Sequence, residues 1–470
     1  MSRMQVAIIG GGLAGMSAAL ALREQPIDLD ITLYESRRTT GGRAGSFVDS
    51  QTGDSVDYCQ HVAMGCCTNL LAMMRHAGLE DAFTRYSELS FHHPDHAPAR
   101  FDKSKLLPAP FHLLPSLLRL PYLSWRQRYE ISHGIFALMR ARPKDLVHIT
   151  AGSWLVDHGQ SANTIRNHWD VVIASALGES CNQVSMAAAR KVFIDGFLVS
   201  HESSDILVPV KSLATLFGVE LPKSVVRQRV FLKTGTKVRT IAMTSDDSIQ
   251  IVIENNATRF DHVILAVPFF ALSKVLNRET AIAAGLAAER YANVPCSPIT
   301  GIHLWFDKPI LRQPHAVMVG TLSQWVFQRQ SDAQTLAANS HYIQVVISAS
   351  HGLRQMHADE LIAQVVRELR HAFPLAANAK LIHGRIVTDP QAVFSLRPDV
   401  DAMRPASRTG LPCLHLAGDF VQTGWPATME GAVISGRMAA SSLLEKLGYP
   451  AVTIDPGLRP SLLSRWLIRT

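Results

Sequence analysis

The sequence predicts an α/β protein: a Rossmann-like nucleotide-binding domain, discontinuous along the chain, with an α+β substrate domain inserted into it. Three observations predict it. Near the start, an apolar strand breaks into a glycine-rich turn and then a helix. Midway, Asp261-His262-Val263-Ile264-Leu265-Ala266-Val267-Pro268 reads as a strand of the same kind, ending in a turn. Near the end, Cys413-Leu414-His415-Leu416-Ala417 is an apolar strand running into Gly418-Asp419, followed by a helix from Met429 to Leu447.

The first stretch carries most of the argument. Met4 to Ile9 has the length of a buried strand and leads into Gly10-Gly11-Gly12-Leu13-Ala14-Gly15, which fits G-x-G-x-x-G. A helical stretch rich in Ala and Leu follows, Met16 to Arg23, and then a second strand, Ile31 to Tyr34, ending on Glu35-Ser36. This context gives a weak glycine pattern its meaning. Gly10 permits the tight turn, Gly12 lets the backbone approach a pyrophosphate, and Gly15 lets helix and strand pack closely. Leu13 and Ala14 open the helix, whose unpaired N–H groups and positive dipole end suit a diphosphate. Glu35, 20 residues beyond Gly15, is placed to accept hydrogen bonds from a ribose. This pattern alone does not choose between NAD and FAD.

At 470 residues the chain can bury a large core and form two or more domains. Net charge is +7, from 46 basic and 39 acidic residues, a balance compatible with an anionic membrane surface or a phosphorylated cofactor. No nucleic-acid motif accompanies it, so no nucleic-acid partner is expected. No run reaches the roughly 18 apolar residues of a spanning helix. A secretory h-region would have to include the glycine turn. The expectation is a cytoplasmic protein, peripheral on the inner face of the cell membrane. Cys59, Cys66, Cys67, Cys181, Cys296 and Cys413 form no C-x-x-C pair and read as free thiols. His92, His93 and His96 read as a solvated surface loop, and no metal site is expected.

Further along, Ala44 to Phe47 looks like a strand, and Asp54 to Val62 like a turn entering a helix over Thr68 to Gly78. Residues 105–142 are apolar and broken by proline, with arginines interleaved. They suit core helices or an interfacial region equally. Ser161 to Leu177 and Met186 to Phe197 read as helices, and residues 224–256, starting at Val225-Val226, as strands. Thr300 to Phe306 and Tyr342 to Ser348 are strand candidates. Asp359 to Ala372 is a helix, with Leu361, Ile362, Val365, Val366 and Leu369 at helical spacing. The expected division gives 1–85, 225–290 and 405–447 to the nucleotide domain and 86–224 and 291–404 to the substrate domain. Within the latter, 105–142 faces a membrane, and 448–470 is a C-terminal tail.

Gly41-Gly42-Arg43, six residues after Glu35, resembles the second FAD motif of the amine oxidase and phytoene desaturase superfamily. Ala417 to Ala432 resembles its C-terminal FAD motif. The resemblance implies a glutathione-reductase/amine-oxidase type of fold and FAD as cofactor. It puts Gly42 beside the diphosphate, Arg43 on the diphosphate or the nearby flavin region, and Asp419 on the ribityl or phosphate part. It points the helix beginning at Thr428-Met429 toward the flavin pyrimidine, and it adds Ser36, Val238 and Gly418 to the cofactor-binding residues.

A narrower resemblance is to the hydroxysqualene dehydroxylase family. It is carried by Asp57-Tyr58-Cys59-Gln60-His61-Val62-Ala63-Met64-Gly65-Cys66, by Leu106 to Leu114, by Trp169 to Leu177 with Val192 to Phe197, and by Ala417 to Ala432. It departs at Cys59, where glycine is expected, and around Ile206 to Val210, where a basic residue is absent. It implies reductive removal of an allylic hydroxyl from a C30 isoprenoid alcohol, with NAD(P)H or a reductase protein as electron donor. Hydroxide leaves poorly, so an acid is needed. His61 is the first candidate, with Asp57 and Asp195 behind it. Structural alternatives stand for each: a packing residue, a turn anchor and a helix-end cap. A carotenoid-precursor desaturase, a soluble amine oxidase and a flavin-binding partner without turnover stay open as alternatives.

Overall fold

In this computed structural model the described residues are 3–244, 248–329 and 340–469. The remaining positions, which fall inside the expected domain ranges, lie outside the described residues. Five apolar segments build a parallel sheet in the order Val230–Lys233, Leu29–Tyr34, Met4–Ile9, His262–Leu265, Leu414–Leu416. Val6 pairs with Ile31 on one side and His262 on the other, and Val263 pairs with Leu414. A strand covered on both faces must be apolar at consecutive positions, not alternate ones. Val6, Ala7 and Ile8 are accordingly all fully buried, as are Val263, Ile264 and Leu265.

Helix Leu13–Arg23 covers one face of this sheet, and helix Met429–Lys446, from the far end of the chain, lies against it. Gly436 makes the approach possible: a Cβ there would sit 2.2 Å from the Ala14 carbonyl oxygen. The Ser17 hydroxyl donates to the Val433 carbonyl at 2.8 Å across the same contact.

A second, seven-stranded sheet runs in the order Leu381–Phe394, Cys296–Phe306, His341–Ser348, Trp325–Arg329, His315–Met318, Glu88–His93, His96–Asp102. Helix Ala358–Ala372 buries Leu361, Val365, Val366 and Leu369 against Ile302, Leu304, Ile343 and Val345, as its spacing requires. A helical layer between residues 114 and 198 packs beside this sheet. Its centre is Trp169, fully buried, with its indole N–H on Gln160 Oε1 at 2.8 Å and its ring edge-on to Phe193 at 4.7 Å. Two helices here widen into π-turns, at Ile165–Trp169 and Ile194–Leu198, and a third widens at Leu216–Glu220. Such turns are rare and concentrate at functional sites.

Several local expectations are corrected. Val225 and Val226 lie in helix Leu221–Arg227, with Val225 buried and Val226 outward. β-branched residues suggested a strand, but packing of one apolar face outweighs that weak propensity. Ser55–Asp57 is a strand paired with Ser46–Val48, not a turn into a helix. His92, His93 and His96 belong to a hairpin, where His92 packs on Phe373 and His93 stacks on Tyr122. The expected tail docks on the body and ends in helix Leu462–Leu467. All six cysteines are free thiols. Among the described residues no helix is long and apolar enough to cross a membrane.

Replacing Gly436 with valine should cost about 1–3 kcal/mol of stability, because backbone on the facing helix has nowhere to retreat. Chemical denaturation would show a lowered midpoint; an unchanged midpoint would mean the two helices separate freely.

Candidate cofactor and substrate site

The glycine turn divides into positions the chain demands and one it does not. Gly10 has φ +115°, and a Cβ there would lie 2.3 Å from the Ala266 carbonyl oxygen. A Cβ on Gly15 would lie 1.9 Å from the Gly10 carbonyl oxygen. Gly12 has an ordinary φ of −76°, and a Cβ there would meet only Gly42 Cα, at 3.9 Å. No protein atom fills that space. It opens beside the start of helix Leu13–Arg23, which has no side-chain cap. The first N–H groups of that helix have no intrahelical acceptor. The Gly41 N–H donates to the Gly11 carbonyl at 2.9 Å, which lays the second glycine pair against the first. Gly42 has φ +65°, in the left-handed region.

Glu35 closes one side of this cradle. Its Oε2 accepts the Gly11 N–H at 2.8 Å, and its Oε1 accepts the Arg37 N–H at 2.8 Å and the Ser36 hydroxyl at 3.2 Å. Both oxygens keep lone-pair capacity for a ribose hydroxyl. Val238 is buried at a β-bulge that leaves Arg239 out of register with the neighbouring strand.

The start and the end of the chain meet at an ion pair between Arg43 and Asp419. Burial works against the Arg43 charge, but Asp419 outweighs it and holds the guanidinium above its ordinary value. Arg43 also donates to the Ala392 carbonyl at 3.1 Å. Asp419 is set by Gly418, whose φ is +146° and whose N–H donates to Ser435 Oγ at 2.8 Å. Arg404 then ties the loop down, donating to the Asp419 carbonyl at 3.0 Å and the Val421 carbonyl at 2.7 Å. Thr428 caps helix Met429–Lys446 by accepting the Gly431 N–H at 3.3 Å. This leaves the Met429 N–H without an intrahelical acceptor. Glu430 turns away and takes three N–H groups of Asn69 and Leu70. The set fits a dinucleotide: an open cradle at one helix start, a buried carboxylate at its side, a guanidinium, and a second helix start.

Beyond the cradle, Arg43, Cys59, His61 and His168 are partly accessible, yet each is strongly desolvated. Burial pushes the Cys59 thiol up to about 12, with Asp57 adding to the shift. Burial alone pushes the His168 imidazole down to about 4. His168 lies edge-on to Trp169 at 5.5 Å and 6.3 Å from Phe193, and neither ring nitrogen has a hydrogen-bond partner among the described residues.

The three acid candidates separate. Asp57 is buried, with Oδ1 accepting from Ser46 Oγ at 2.6 Å and the Leu213 N–H at 2.9 Å, and Oδ2 paired with Arg329 at 2.8 Å. Both oxygens are committed, and Asp57 anchors Ser46, the Leu213 N–H and Arg329. Burial lowers the His61 value, and the ring places Nδ1 2.9 Å from the Cys59 carbonyl. A neutral imidazole that donates there offers a bare Nε2, an acceptor. Asp195 sits in the Ile194–Leu198 π-turn, half-exposed, 3.1 Å from Lys191 Nζ, which lies 4.8 Å over the Trp425 ring. His61, Asp57 and Arg43 are close enough to influence one another electrostatically. Asp195 stands instead with Lys191 and the 421–428 loop. Sequence reasoning missed Lys191, although its i, i+4 spacing to Asp195 was visible. It also missed His168, Arg329 and Arg404, whose partners lie far off in sequence.

Parallel sheet, cradle and second helix start together define an FAD-dependent oxidoreductase. The chain belongs to the family of flavin containing amine oxidoreductases, whose signature matches residues 13–444. Among its relatives is a 15-cis-phytoene desaturase of an Oncidium hybrid cultivar, 24% identical, with 94% of this chain and 78% of the relative covered. A hydroxysqualene dehydroxylase of Zymomonas mobilis is 23% identical, with 93% and 98% covered. Cyclohexylamine oxidase from Brevibacterium oxydans has the same fold, with a TM-score of 0.68 at 16% identity over 95% of this chain and 100% of that one.

Gly12→Val should leave stability within about 0.5 kcal/mol while FAD content falls, because the space is free in the protein. Flavin absorbance after purification and the denaturation midpoint read the two effects separately. A fall in both would make Gly12 a packing residue. Stability should also depend on pH. Burial first, with His201 and Lys103 adding for His112, holds His112, His168 and His303 down at about 4. Unfolded histidine takes up its proton near 6.5, so the unfolded state binds more protons between these values. Stability is therefore full above about 6.5 and is lost as pH falls toward about 4. A melting temperature unchanged across that window would contradict the burial of these rings.

Proposed function

We propose that this FAD-dependent oxidoreductase reductively removes the hydroxyl of hydroxysqualene to give squalene, as a step in squalene and hopanoid biosynthesis. In this reading Gly10, Gly12, Leu13, Ala14 and Gly15 hold the diphosphate and Glu35, with Ser36, the ribose. Val238 lies by the adenine side, Gly42 and Arg43 by the diphosphate, and Gly418, Asp419, Thr428 and Met429 by the ribityl chain and flavin. The electron donor is NAD(P)H or a reductase protein. The C30 alcohol reaches the protein from the inner face of the cell membrane.

The observation that carries the reading is the apolar setting of His168, which lies against the rings of Trp169 and Phe193 and whose imidazole burial holds down at about 4. An apolar alcohol suits such a setting better than an ammonium substrate, which needs charge or an aromatic cage. FAD, once reduced, supplies a hydride. The protein must supply the proton that lets hydroxide leave as water, so that R–OH, a hydride and a proton become R–H and water. In this reading Lys191 Nζ, oriented by Asp195 Oδ1 at 3.1 Å, is the donor. His61, set apart from Lys191, offers an acceptor at Nε2. The acid role thereby passes from His61 to Lys191, and Asp195 acts through Lys191.

The test is anaerobic incubation of the reduced protein with hydroxysqualene, reading squalene by mass spectrometry. No squalene, together with desaturation of a polyene when an oxidant is present, would sink the proposal. Desaturation of a carotenoid precursor is the second reading, favoured by the phytoene desaturase relative at similar identity. Within the first reading, Lys191→Met and Asp195→Asn should each keep bound FAD but lower turnover by roughly 10²-fold or more. Full turnover in both would remove the pair from the reaction.

A further inference from the structure

We propose that the C-terminal helix Leu462–Leu467 and the 105–142 region form one surface that seats on an anionic lipid bilayer, with the helix as its anchor. This rests on the isoprenoid reading above and goes beyond it in naming the anchoring element. Leu106 is 93% exposed, Trp125 75%, Leu462 83% and Trp466 77%, with Tyr129 and Phe136 also outward. Tyr129 and Phe136 lie seven residues apart on helix Trp125–Arg140, on one stripe with His133 and Arg140, which are also exposed.

These side chains are held outward by an ordered backbone. Ser461 caps the short helix by accepting the Ser464 N–H at 3.0 Å, and its hydroxyl donates to the Ala109 carbonyl at 2.5 Å. Ser464 is fully buried and donates to the Leu198 carbonyl at 3.0 Å. The Arg469 N–H donates to the Met139 carbonyl at 2.8 Å, and Arg190 holds the Arg469 carbonyl at 2.5 Å. The terminal segment is thus bonded both to the Leu106–Phe111 loop and to the end of helix Trp125–Arg140, joining them into one face. With Ser464 turned in, Leu462, Leu463 and Trp466 can only point out. Ser464 also joins this face to the π-turn that carries Asp195, since Leu198 ends that turn.

Charge selects the occupant. Lys105, Arg126, Arg140, Arg459, Arg465 and Arg469 are exposed along these two stretches. Their one acidic residue between 105–142 and 456–470 is Glu130, which is buried and bonded to Arg126, Ser161 and Thr164. Two copies of so basic a face would repel each other, whereas an anionic leaflet complements it. Tryptophan and leucine beside arginine on a short helix is the pattern of an interfacial segment.

Flotation of the FAD-loaded full chain with phosphatidylcholine vesicles, with and without phosphatidylglycerol, tests this. The wild type should float with the anionic vesicles, and less so at high salt. Leu462→Ser combined with Trp466→Ser should cut the bound fraction roughly tenfold while flavin absorbance and melting temperature stay put. Trp125→Ser with Phe136→Ser serves as the second variant. If it releases the protein but the C-terminal variant still floats like wild type, the anchor role is overturned and the isoprenoid reading stands. If wild type never floats yet makes squalene, the seat is overturned alone. A dimer seen by light scattering, lost in the C-terminal variant and without vesicle binding, would assign the face to a second copy and overturn the proposal.

Discussion

Everything in this molecule depends on a backbone contact between two helices that lie more than four hundred residues apart. Helix Leu13–Arg23 can approach helix Met429–Lys446 only because Gly436 has no side chain where the Ala14 carbonyl stands, 2.2 Å from the missing Cβ. The contact brings both helix starts to one side of the parallel sheet. One opens beside Gly12 and the other at Thr428–Met429. Each offers unpaired N–H groups and the positive end of a dipole. Both ends leave N–H groups unsatisfied, and the close packing keeps them from drifting apart.

The Arg43–Asp419 ion pair lies across the same junction. Here a partly buried guanidinium is tolerated because a carboxylate and the Ala392 carbonyl satisfy it. Arg404 does the corresponding work on the backbone, binding the carbonyls around Asp419 and so fixing where that carboxylate stands. On the other side the helical layer widens into π-turns at Ile165–Trp169 and Ile194–Leu198. The first carries His168 and the second Asp195.

Much of the fold was legible because its signals are local. The parallel strands are unbroken apolar runs, helix Ala358–Ala372 keeps a 3.6-residue period, and Gly10 and Gly15 sit where backbone collisions forbid any other residue. What was misread fails for equally specific reasons. Val225 and Val226 have the propensity of a strand but the packing of a helix. Asp57 read equally as an acid candidate and as a turn anchor. Its partners Ser46, Leu213 and Arg329 lie 11, 156 and 272 residues away, and no local pattern shows a carboxylate already committed.

The sequence by itself determined the type of cofactor fold, because a turn that binds a diphosphate is written in consecutive residues and dictated by sterics. It also determined the helix and strand content wherever a hydrophobic period is clean. Only the tertiary structure decided which titratable groups are free to act. Burial favours neutral imidazoles, an arginine from a distant strand pairs with Asp57, and a lysine one helical turn away gives Asp195 a partner. Electrostatic character depends on neighbours in space and on exclusion of water, and neither is carried by the order of residues along the chain.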